Sequence, residues 1–367
     1  MRAMKTQAGY YKGILAIVML VGMATLTAIN TNAQTITTDP VGYITLTAQG
    51  TDAPGGGNPH YVYLGLGMTQ LPVNRGLAIT NGANTLTVSN ALTAGQYNFT
   101  ADAHPAYFIE VTSGPLAGLL DDIVSNSTTA VFTSDDLSSF VTSNNPSGQV
   151  TYKIYPHWTL GTVFGPQNQV GLLGASTAGA ADNVFVWNPN TQGNATYYFK
   201  TSGGGGTGWR STASATINQS NAVLYVDQGI VIGRKTTGNL PIQLVGGVKL
   251  GQTISPIVGN GYTFAGNVYP AGFSLGASGL YTTNSATGLV GASTAGAADN
   301  VLIWNPSTQG NATYYFKTAG GGGTGWRSTA SATVDASTNQ IVLGSIAVIQ
   351  RKVASPFNWF IQQPFTP

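Results

Sequence analysis

The chain has 367 residues and a formal net charge of +2, and only 7% of its residues are charged, against about 25% in ordinary soluble domains. It contains no cysteine, which excludes disulfides, thiolate metal sites and lipid anchoring through a cysteine. Because 42% of the residues are hydrophobic, the low charge does not indicate disorder; it indicates a surface of hydroxyl, amide and glycine residues that associates readily.

The N-terminus is typical of a secretory signal peptide, which we predict over residues 1–33. Arg2, Lys5 and Lys12 form a positive region, and an apolar run over 13–28 leads to a small-residue cleavage site. An uncleaved anchor is the alternative, although the run is short for a membrane span. The rest of the chain is slightly acidic, with no basic patch for nucleic acid and no second segment of membrane length. We expect a secreted protein, located outside the cell or at its surface.

Short strands dominate the chain after residue 33. They are rich in β-branched and aromatic residues, and Gly, Asn and Pro clusters separate them. In chain order the predicted strands are Gly42–Ala48, Asn84–Ser89, Tyr107–Thr112, Gln149–Tyr155, Asn183–Trp187, Ala195–Thr201, Ala222–Val226, Pro241–Val245 and Tyr262–Val268. One short helix is predicted over Asp136–Thr142. The pattern indicates an all-β protein of tandem antiparallel domains and leaves sandwich, barrel and solenoid open.

A long internal repeat divides the chain. Gly174–Thr216 recurs at Gly291–Thr333 with four differences in 43 positions, and the same register reaches Arg234-Lys235 and Arg351-Lys352. A self-match of this length marks a duplicated structural unit. We therefore predict a signal peptide (1–33), an N-terminal β-domain (34–164), a first β-module with connecting strands (165–287), and a second module copy with an aromatic tail (288–367). The aromatic residues of that tail are expected to be docked.

Two motifs resemble catalytic or nucleotide-binding signatures, and both have a simpler interpretation. Gly203–Gly208 and Gly320–Gly325 match G-x-G-x-x-G, but no helical pattern comes after them, so we predict hairpin loops. Gly272–Gly276 matches G-x-S-x-G, yet every histidine precedes it, which is opposite to the order in the hydrolases that use this motif.

The acidic residues are too few to indicate an enzyme. Glu110 is the only glutamate, and the acidic clusters are Asp121-Asp122 and Asp135-Asp136. Neighbouring residues of a strand face opposite sides, so neither pair makes an acid–base couple, and we expect turn and cap roles. No cofactor is predicted; a Ca²⁺ site in the N-terminal region is the alternative. The three histidines, His60, His104 and His157, lack metal-ligand spacing and are expected in polar loops.

A set of aromatic and arginine residues occurs once in each module. Core packing, a protein interface and stacking on a sugar ring are the three interpretations. One of each adjacent tyrosine pair is expected on the outside, and each arginine is placed for a cation–π or ionic contact. The candidate interface or glycan-contact residues are Trp187, Tyr197, Tyr198, Trp209, Arg210, Trp304, Tyr314, Tyr315, Trp326 and Arg327.

Several segments also resemble a known family. In order, they are Asp39–Tyr43, Asn84–Ser89, Tyr107–Gly114, Ile154–Phe164 and Tyr262–Leu280. Together they are similar to a family of uncharacterised, signal-peptide-bearing secreted bacterial proteins found chiefly in the planctomycete and verrucomicrobial group. The resemblance covers about residues 39–280, and the second module copy is an addition to it. It implies an exported bacterial protein without an assigned catalytic or binding residue.

These observations predict an extracellular structural protein rather than an enzyme. The expected partner is another copy of the chain, in a filament or surface layer joined by module–module or β-strand contacts. Gln34–Ala48 is the predicted donor strand. The alternative is a secreted carbohydrate-binding or adhesion protein that presents its Trp and Tyr platforms to a surface polysaccharide.

Overall fold

The computed structural model describes residues 39–51, 59–135 and 149–366. The predicted signal peptide and the predicted helix over 136–142 lie outside the described residues. Within them the strands form antiparallel sheets and a closed six-stranded barrel, so the all-β class is confirmed. No helix in these ranges combines the length and the apolar character needed to cross a membrane.

The strands fall into groups along the chain. The first two are β1 (Val41–Ala48) and β2 (His60–Leu64). The next six are β3 (Asn74–Gly82), β4 (Thr85–Val88), β5 (Tyr107–Val111), β6 (Leu120–Asn126), β7 (Ala130–Thr133) and β8 (Val150–Pro156). Then come β9 (Trp158–Thr159), the helical turn α1 (Leu160–Val163), β10 (Asn183–Asn188), β11 (Gly193–Lys200), β12 (Gly208–Ser211), β13 (Val223–Leu224), β14 (Ile230–Arg234) and β15 (Leu240–Gly247). The last group is β16 (Thr253–Ile257), β17 (Gly261–Gly266), β18 (Phe273–Ser274), β19 (Asn300–Asn305), β20 (Gly310–Lys317), β21 (Gly325–Ser328), β22 (Gln340–Ile341), β23 (Ile346–Arg351) and β24 (Phe357–Ile361).

Two nine-stranded modules share one topology. The first module is β1, β2 and β9 to β15, and the second is β16 to β24. Each has a five-stranded sheet, in the order β12-β11-β10-β14-β2 or β21-β20-β19-β23-β17. Each also has two ribbons of two strands, β1–β15 and β9–β13 in the first module, and β16–β24 and β18–β22 in the second. The duplication seen in the sequence therefore extends to strands whose residues have diverged.

The barrel is an insertion in the first module. It closes in the order β3-β4-β7-β6-β5-β8 and occupies the chain between β2 and β9. In the second module the corresponding strands, β17 and β18, are consecutive. The barrel has its own apolar core, around Leu86, Ile123 and Ile154, whereas residues of both modules form one continuous core.

The strand pairing divides the chain differently from the predicted boundaries. β1 and β2 fall within the predicted N-terminal β-domain (34–164), but they pair with β15 and β14 of the first module. Likewise β16 and β17, predicted to connect the two modules, pair with β24 and β23 of the second. The local sequence pattern locates a strand but does not determine which strand it pairs with. The tail is docked as expected at Phe357 and Trp359, which are buried, whereas Phe360 is 40% exposed.

A buried ion pair joins distant parts of each module. Asp182, just before β10, accepts hydrogen bonds from Arg234 Nη1 at 2.8 Å and from the Leu173 main-chain N–H at 2.9 Å. Asp299 and Arg351 repeat the pair at 3.1 Å. A buried charge is tolerated only when it is paired and hydrogen-bonded. This requirement explains why the sequence repeat extends as far as Arg234 and Arg351.

The two modules are joined by a reciprocal contact. Trp187 of the first module donates its indole N–H to the main-chain oxygen of Tyr262 in β17, at 3.0 Å. Trp304 of the second module donates to the main-chain oxygen of Tyr61 in β2, at 2.9 Å. Since β2 and β17 are edge strands, each tryptophan satisfies an otherwise unpaired edge of the other module.

Two glutamines complete this contact. Gln192 accepts from the Tyr262 main-chain N–H at 2.7 Å and donates to the Tyr262 oxygen at 3.1 Å. Gln309 makes the same two bonds with Tyr61, at 2.7 and 3.1 Å. Each side-chain amide therefore pairs with the edge as another strand would. We call the two tryptophans and two glutamines, with the edge strands they bind, the reciprocal latch.

Four aromatic rings stack within the reciprocal latch. Trp187 lies on Phe264 with centroids 4.9 Å apart, and Trp304 lies on Tyr63 with centroids 4.7 Å apart. Tyr63 and Phe264 stack on each other at 5.8 Å, so the rings form a column across the boundary. The column combines apolar burial with favourable ring geometry.

We expect Trp187→Ala and Trp304→Ala each to lower the free energy of unfolding by about 3 kcal/mol, because each removes a stacked ring and an indole donor. Trp187→Phe and Trp304→Phe are the matched controls. They retain a ring and should cost about 1 kcal/mol, near the value of one hydrogen bond. Urea unfolding measures all four, and a large loss at only one of the two positions would contradict a reciprocal contact.

Candidate functional site in the groove between the barrel and the modules

Most of the residues singled out in the sequence lie in the core. Six of them are at most 5% exposed: Tyr198, Trp209, Arg210, Tyr315, Trp326 and Arg327. Trp187 and Trp304 are partly buried in the reciprocal latch. Tyr197 and Tyr314, the outer members of the tyrosine pairs, are half-buried. The repeated aromatic set is therefore mainly structural, and within it Trp187 and Tyr197 also line a cavity.

The arginine of the first module binds the glycine-rich loop, not an aromatic face. Arg210 donates Nη1 to the Trp209 main-chain oxygen at 2.7 Å and Nη2 to that of Gly205. Lys200, also buried, donates to main-chain oxygens of Gly204 and Ala215. Arg327 and Lys317 repeat this in the second module. Arg327 also makes the expected ionic contact, with Asp335 at 3.3 Å. The glycine-rich segments are hairpin loops between β11 and β12 and between β20 and β21, and their carbonyls surround buried cations.

A groove lies where the barrel meets the two modules. It has two adjoining cavities, of about 300 and about 400 Å³. The four residues that line both are Pro189, Asn190, Tyr225 and Gln228. The barrel, the first module and the second module each contribute to the larger cavity. A cleft at such a junction is where ligands commonly bind.

The smaller cavity is aromatic and amide-lined. Trp187 and Tyr197 provide rings, and His104 enters from the barrel. Asn188 and Asn190, from the turn between β10 and β11, add amide groups. Rings beside amides provide apolar contact and hydrogen bonds together, as a polar ring compound requires.

The larger cavity gathers four aspartates from separate segments. Asp121 and Asp122 belong to β6, Asp135 follows β7, and Asp227 lies in the turn before β14. Asp121 is buried and accepts weakly from the Asp135 main-chain N–H at 3.3 Å. Asp122 accepts from the Tyr225 hydroxyl at 3.0 Å. No lysine or arginine is among the described residues that line this cavity.

A histidine completes the wall of the larger cavity. His157 is 5% exposed, and its Nε2 lies 2.9 Å from Asp122 Oδ1. The two atoms are within ion-pair distance but not aligned as a hydrogen bond, so the buried Nε2 has no hydrogen-bond partner among the described residues. The expectation of a polar loop residue was wrong for His157, which is packed between Phe108 and Tyr225.

Burial and mutual repulsion raise the pKa of two carboxyl groups. Burial, followed by repulsion from Asp135, raises the pKa of Asp121 to about 7. Burial, with a smaller contribution from Asp122, raises the pKa of Asp227 to about 6. Burial also raises the pKa of Tyr225 well above its ordinary value. These shifts indicate a carboxylate cluster without a lysine or arginine partner among the described residues, the kind of environment found at many functional sites.

Sequence reasoning found the acidic pairs but not this cluster. As the alternation predicts, Asp121 shares a face with buried Ile123 and Asp122 lies on the other. Both still line the cavity, because they lie at the start of β6. Asp227 and His157 carried no signal, since pairing of strands far apart in the chain brings them here.

The described residues include no group of three or more His, Asp or Glu side chains arranged to hold a metal ion. No family model, curated protein or solved structure matches the chain. The chemical role of the groove therefore has to be inferred from the side chains that line it.

We expect stability to fall as the pH rises from about 4 to about 7. In an unfolded chain Asp titrates near pH 4, whereas Asp121 and Asp227 keep their protons to about pH 7 and 6 in the folded state. Between these values the folded state binds more protons than the unfolded state, so raising the pH favours unfolding. A variant with Asp121→Asn and Asp227→Asn should lose this part of the slope in urea unfolding across that pH range. The loss should be on the order of several kcal/mol, because each unit of pKa difference corresponds to about 1.4 kcal/mol.

Asp335→Asn is the control for this experiment. Asp335 lies at the surface, and its pKa is lowered by hydrogen bonds from Ser337. This variant should keep the decline in stability between pH 4 and 7. If the double variant keeps it as well, the two cavity carboxyl groups are not its source.

Proposed function

We propose that the protein is an extracellular structural subunit that assembles with copies of itself through the β1–β15 ribbon. One observation carries the proposal: the outer face of this ribbon is apolar and uncovered. Val41, Tyr43 and Val245 are 67%, 72% and 73% exposed, and Tyr43 lies directly opposite Val245. Exposed apolar faces of this kind are typical of protein interaction sites.

The edge of the same ribbon supports the proposal. β1 pairs with β15 alone, so its other edge has no neighbouring strand among the described residues. In the second module the corresponding strand is β16. There the Ile254 main-chain N–H donates to the Gly118 oxygen of the barrel at 2.9 Å. The barrel thus contacts one of two equivalent edges, and the open edge of β1 can accept a strand from another molecule.

The composition of the ribbon favours association. Neither β1 nor β15 contains a charged residue. Its remaining outward side chains include Thr45 and Gln243, which can hydrogen-bond to a second copy without the cost of burying a charge. Lysines, which natural edge strands use to prevent such pairing, are absent from both strands.

This proposed mode of self-assembly differs in two respects from the one expected from the sequence. The reciprocal latch uses the two module surfaces within one chain, so the module–module contact does not supply the intermolecular one. Val41–Ala48, part of the predicted donor Gln34–Ala48, is paired with β15 in its own chain. In the proposal β1 is therefore the strand that receives a partner. Residues 34–38 lie outside the described residues.

We expect the mature protein to assemble at physiological salt, and a variant with Tyr43→Lys and Val245→Lys to need at least about tenfold more protein to do so. Placing two lysines on the face would require burying unpaired charge on contact. Light scattering and electron microscopy of the native and variant proteins measure this.

Ile217→Lys with Val334→Lys is the matched control. These two residues are 55% and 65% exposed and lie after β12 and β21, outside the ribbon strands. Like the test variant, the control replaces two apolar residues by lysine, but it does so outside the ribbon. It should therefore assemble like the native protein. A native protein that remains monomeric at high concentration would refute the proposal.

The smaller cavity favours a second candidate function, the binding of a polysaccharide. This candidate is supported by the lining of the cavity, where the Trp187 and Tyr197 rings lie beside Asn188, Asn190 and His104. Stacking of a sugar ring on an aromatic face, with amides bonding its hydroxyls, is the chemistry that this arrangement offers.

Tyr197→Ala should weaken binding to a recognised polysaccharide about tenfold, the effect of losing roughly 1.4 kcal/mol of contact energy. Tyr314→Ala is the control, because Tyr314 is the copy of Tyr197 in the module that lacks an inserted barrel. Pull-down on a panel of insoluble polysaccharides and subsequent titration measure both. Equal losses in the two variants, or no binding by the native protein, would exclude the smaller cavity as the site.

A further inference from the structure

A buried lysine and a buried glutamate meet where the barrel lies against the segment that joins the two modules. Glu110 belongs to β5 of the barrel, and Lys249 lies between β15 and β16. The Lys249 amine contacts Glu110 Oε1, and the two side chains are 1% and 4% exposed. We call these two residues the junction pair. They are 139 residues apart in the chain, so their contact fastens the inserted barrel to the modules that carry it.

The junction pair differs in chemistry from the other buried ion pairs. Asp182 and Asp299 are each paired with an arginine, whose guanidinium group keeps its proton and is therefore not a nucleophile. The described residues contain one other ion pair between a lysine and a carboxylate, Lys153 with Asp39, and its side chains are 21% and 14% exposed. In the described part of the chain, the junction pair alone thus holds an amine and a carboxyl group together away from water.

Close packing on both sides holds the junction pair in place. The Gln252 side chain donates to the Ala117 main-chain oxygen of the barrel at 2.6 Å. The Ile254 main-chain N–H donates to the Gly118 oxygen at 2.9 Å. A Cβ on Gly118 would come within 2.4 Å of the Gln252 main-chain oxygen, so the two backbones approach closely here. Two groups held against each other in this way react much faster than the same groups free in solution.

The hydrogen bonds around the junction pair suit an amide as well as an ion pair. Lys249 Nζ also donates to the Gln252 main-chain oxygen at 3.0 Å. The buried Tyr155 hydroxyl donates to the Glu110 carboxylate. An amide that joins the two side chains has one N–H and one carbonyl oxygen, and these two neighbours satisfy both. Its formation also removes two charges from a site where each is costly to bury.

We propose that Lys249 and Glu110 form an intramolecular amide bond that cross-links the barrel to the segment joining the modules. The ammonium group passes one proton to the carboxylate, and the neutral amine then attacks Glu110 Cδ. Tyr155 donates to the oxygen that becomes negatively charged in the tetrahedral intermediate. The Nζ–Cδ bond forms and one Cδ–O bond breaks. The oxygen leaves as water, with the proton already transferred and a second proton from the amine nitrogen, so no oxidant, reductant or other reactant is needed.

The amide bond closes a covalent ring between residues 110 and 249. The chain has no cysteine, and the bond takes the place of a disulfide: it restricts the unfolded chain and so favours the folded state. The inference does not depend on the proposed function, because the cross-link forms within one molecule whether or not that molecule assembles.

Mass spectrometry of the mature protein under denaturing conditions tests the proposal. The intact mass should be lower by one water molecule than the mass calculated from the sequence of the same chain. Trypsin does not cleave after an acylated lysine, so digestion should give a branched peptide in which residues 76–153 are joined to residues 236–317. The more exposed pair, Lys153 and Asp39, should not be joined, so one water molecule and not two should be lost.

Lys249→Arg is the matched variant. It keeps the positive charge and the hydrogen-bond donors, but a guanidinium group does not form the amide. Its mass should equal the calculated mass, and it should unfold at a lower urea concentration than the native protein, because the covalent ring is lost. Glu110→Ala should also have its full calculated mass, whether or not it folds. Lys153→Arg makes the same exchange in the more exposed pair and should still lose one water molecule.

Two outcomes would overturn the proposal. A native protein with its full calculated mass, and with tryptic cleavage after Lys249, would leave the junction pair as an ion pair only. A loss of one water molecule that persists in Lys249→Arg would place the missing water elsewhere in the chain.

Discussion

The arrangement of the two modules depends on the reciprocal latch, in which each module closes the free edge of the other. An isolated module would leave β2 or β17 as an open edge and a tryptophan ring in water. Trp187 and Trp304 remove both costs, because each ring stacks on an aromatic side chain while its indole N–H donates to the edge strand of the other module. The modules consequently share one core and form a single closed pair. Any contact with other molecules has to use surfaces outside this interface.

The barrel insertion makes the two modules non-equivalent. Both candidate functional surfaces, the open edge of β1 and the larger cavity of the groove, result from this difference. The barrel hydrogen-bonds to the edge of β16 in the second module through Gly118, but β1 keeps its open edge among the described residues. The larger cavity of the groove likewise has no counterpart built from the repeat alone, because its walls require the barrel together with both modules. A duplicated chain thereby acquires distinct surfaces without needing to diverge in the repeated segment.

The few charged residues show where the protein stabilises its own interior and where it does not. Asp182 and Asp299 are paired with arginines, and Lys200 and Lys317 are held by main-chain carbonyls of the glycine-rich loops. The aspartates of the larger cavity lack a lysine or arginine partner among the described residues, and burial raises the pKa of Asp121. In a chain with so little charge, this difference separates the groove from the structural ion pairs.

The sequence by itself determined the positions of nine strands, the all-β class and the duplicated module, because alternation, turn residues and a 43-residue repeat are local properties. It also located the acidic pairs and the hairpin role of Gly203–Gly208. Only the tertiary structure decided that Tyr61 corresponds to Tyr262, that the barrel is an insertion, and that Asp121, Asp227 and His157 share a cavity. Local pattern specifies which residues form a strand and which face they occupy. It does not specify the partner strand, and the shared cavity and the inserted barrel depend on pairing between residues far apart in the chain.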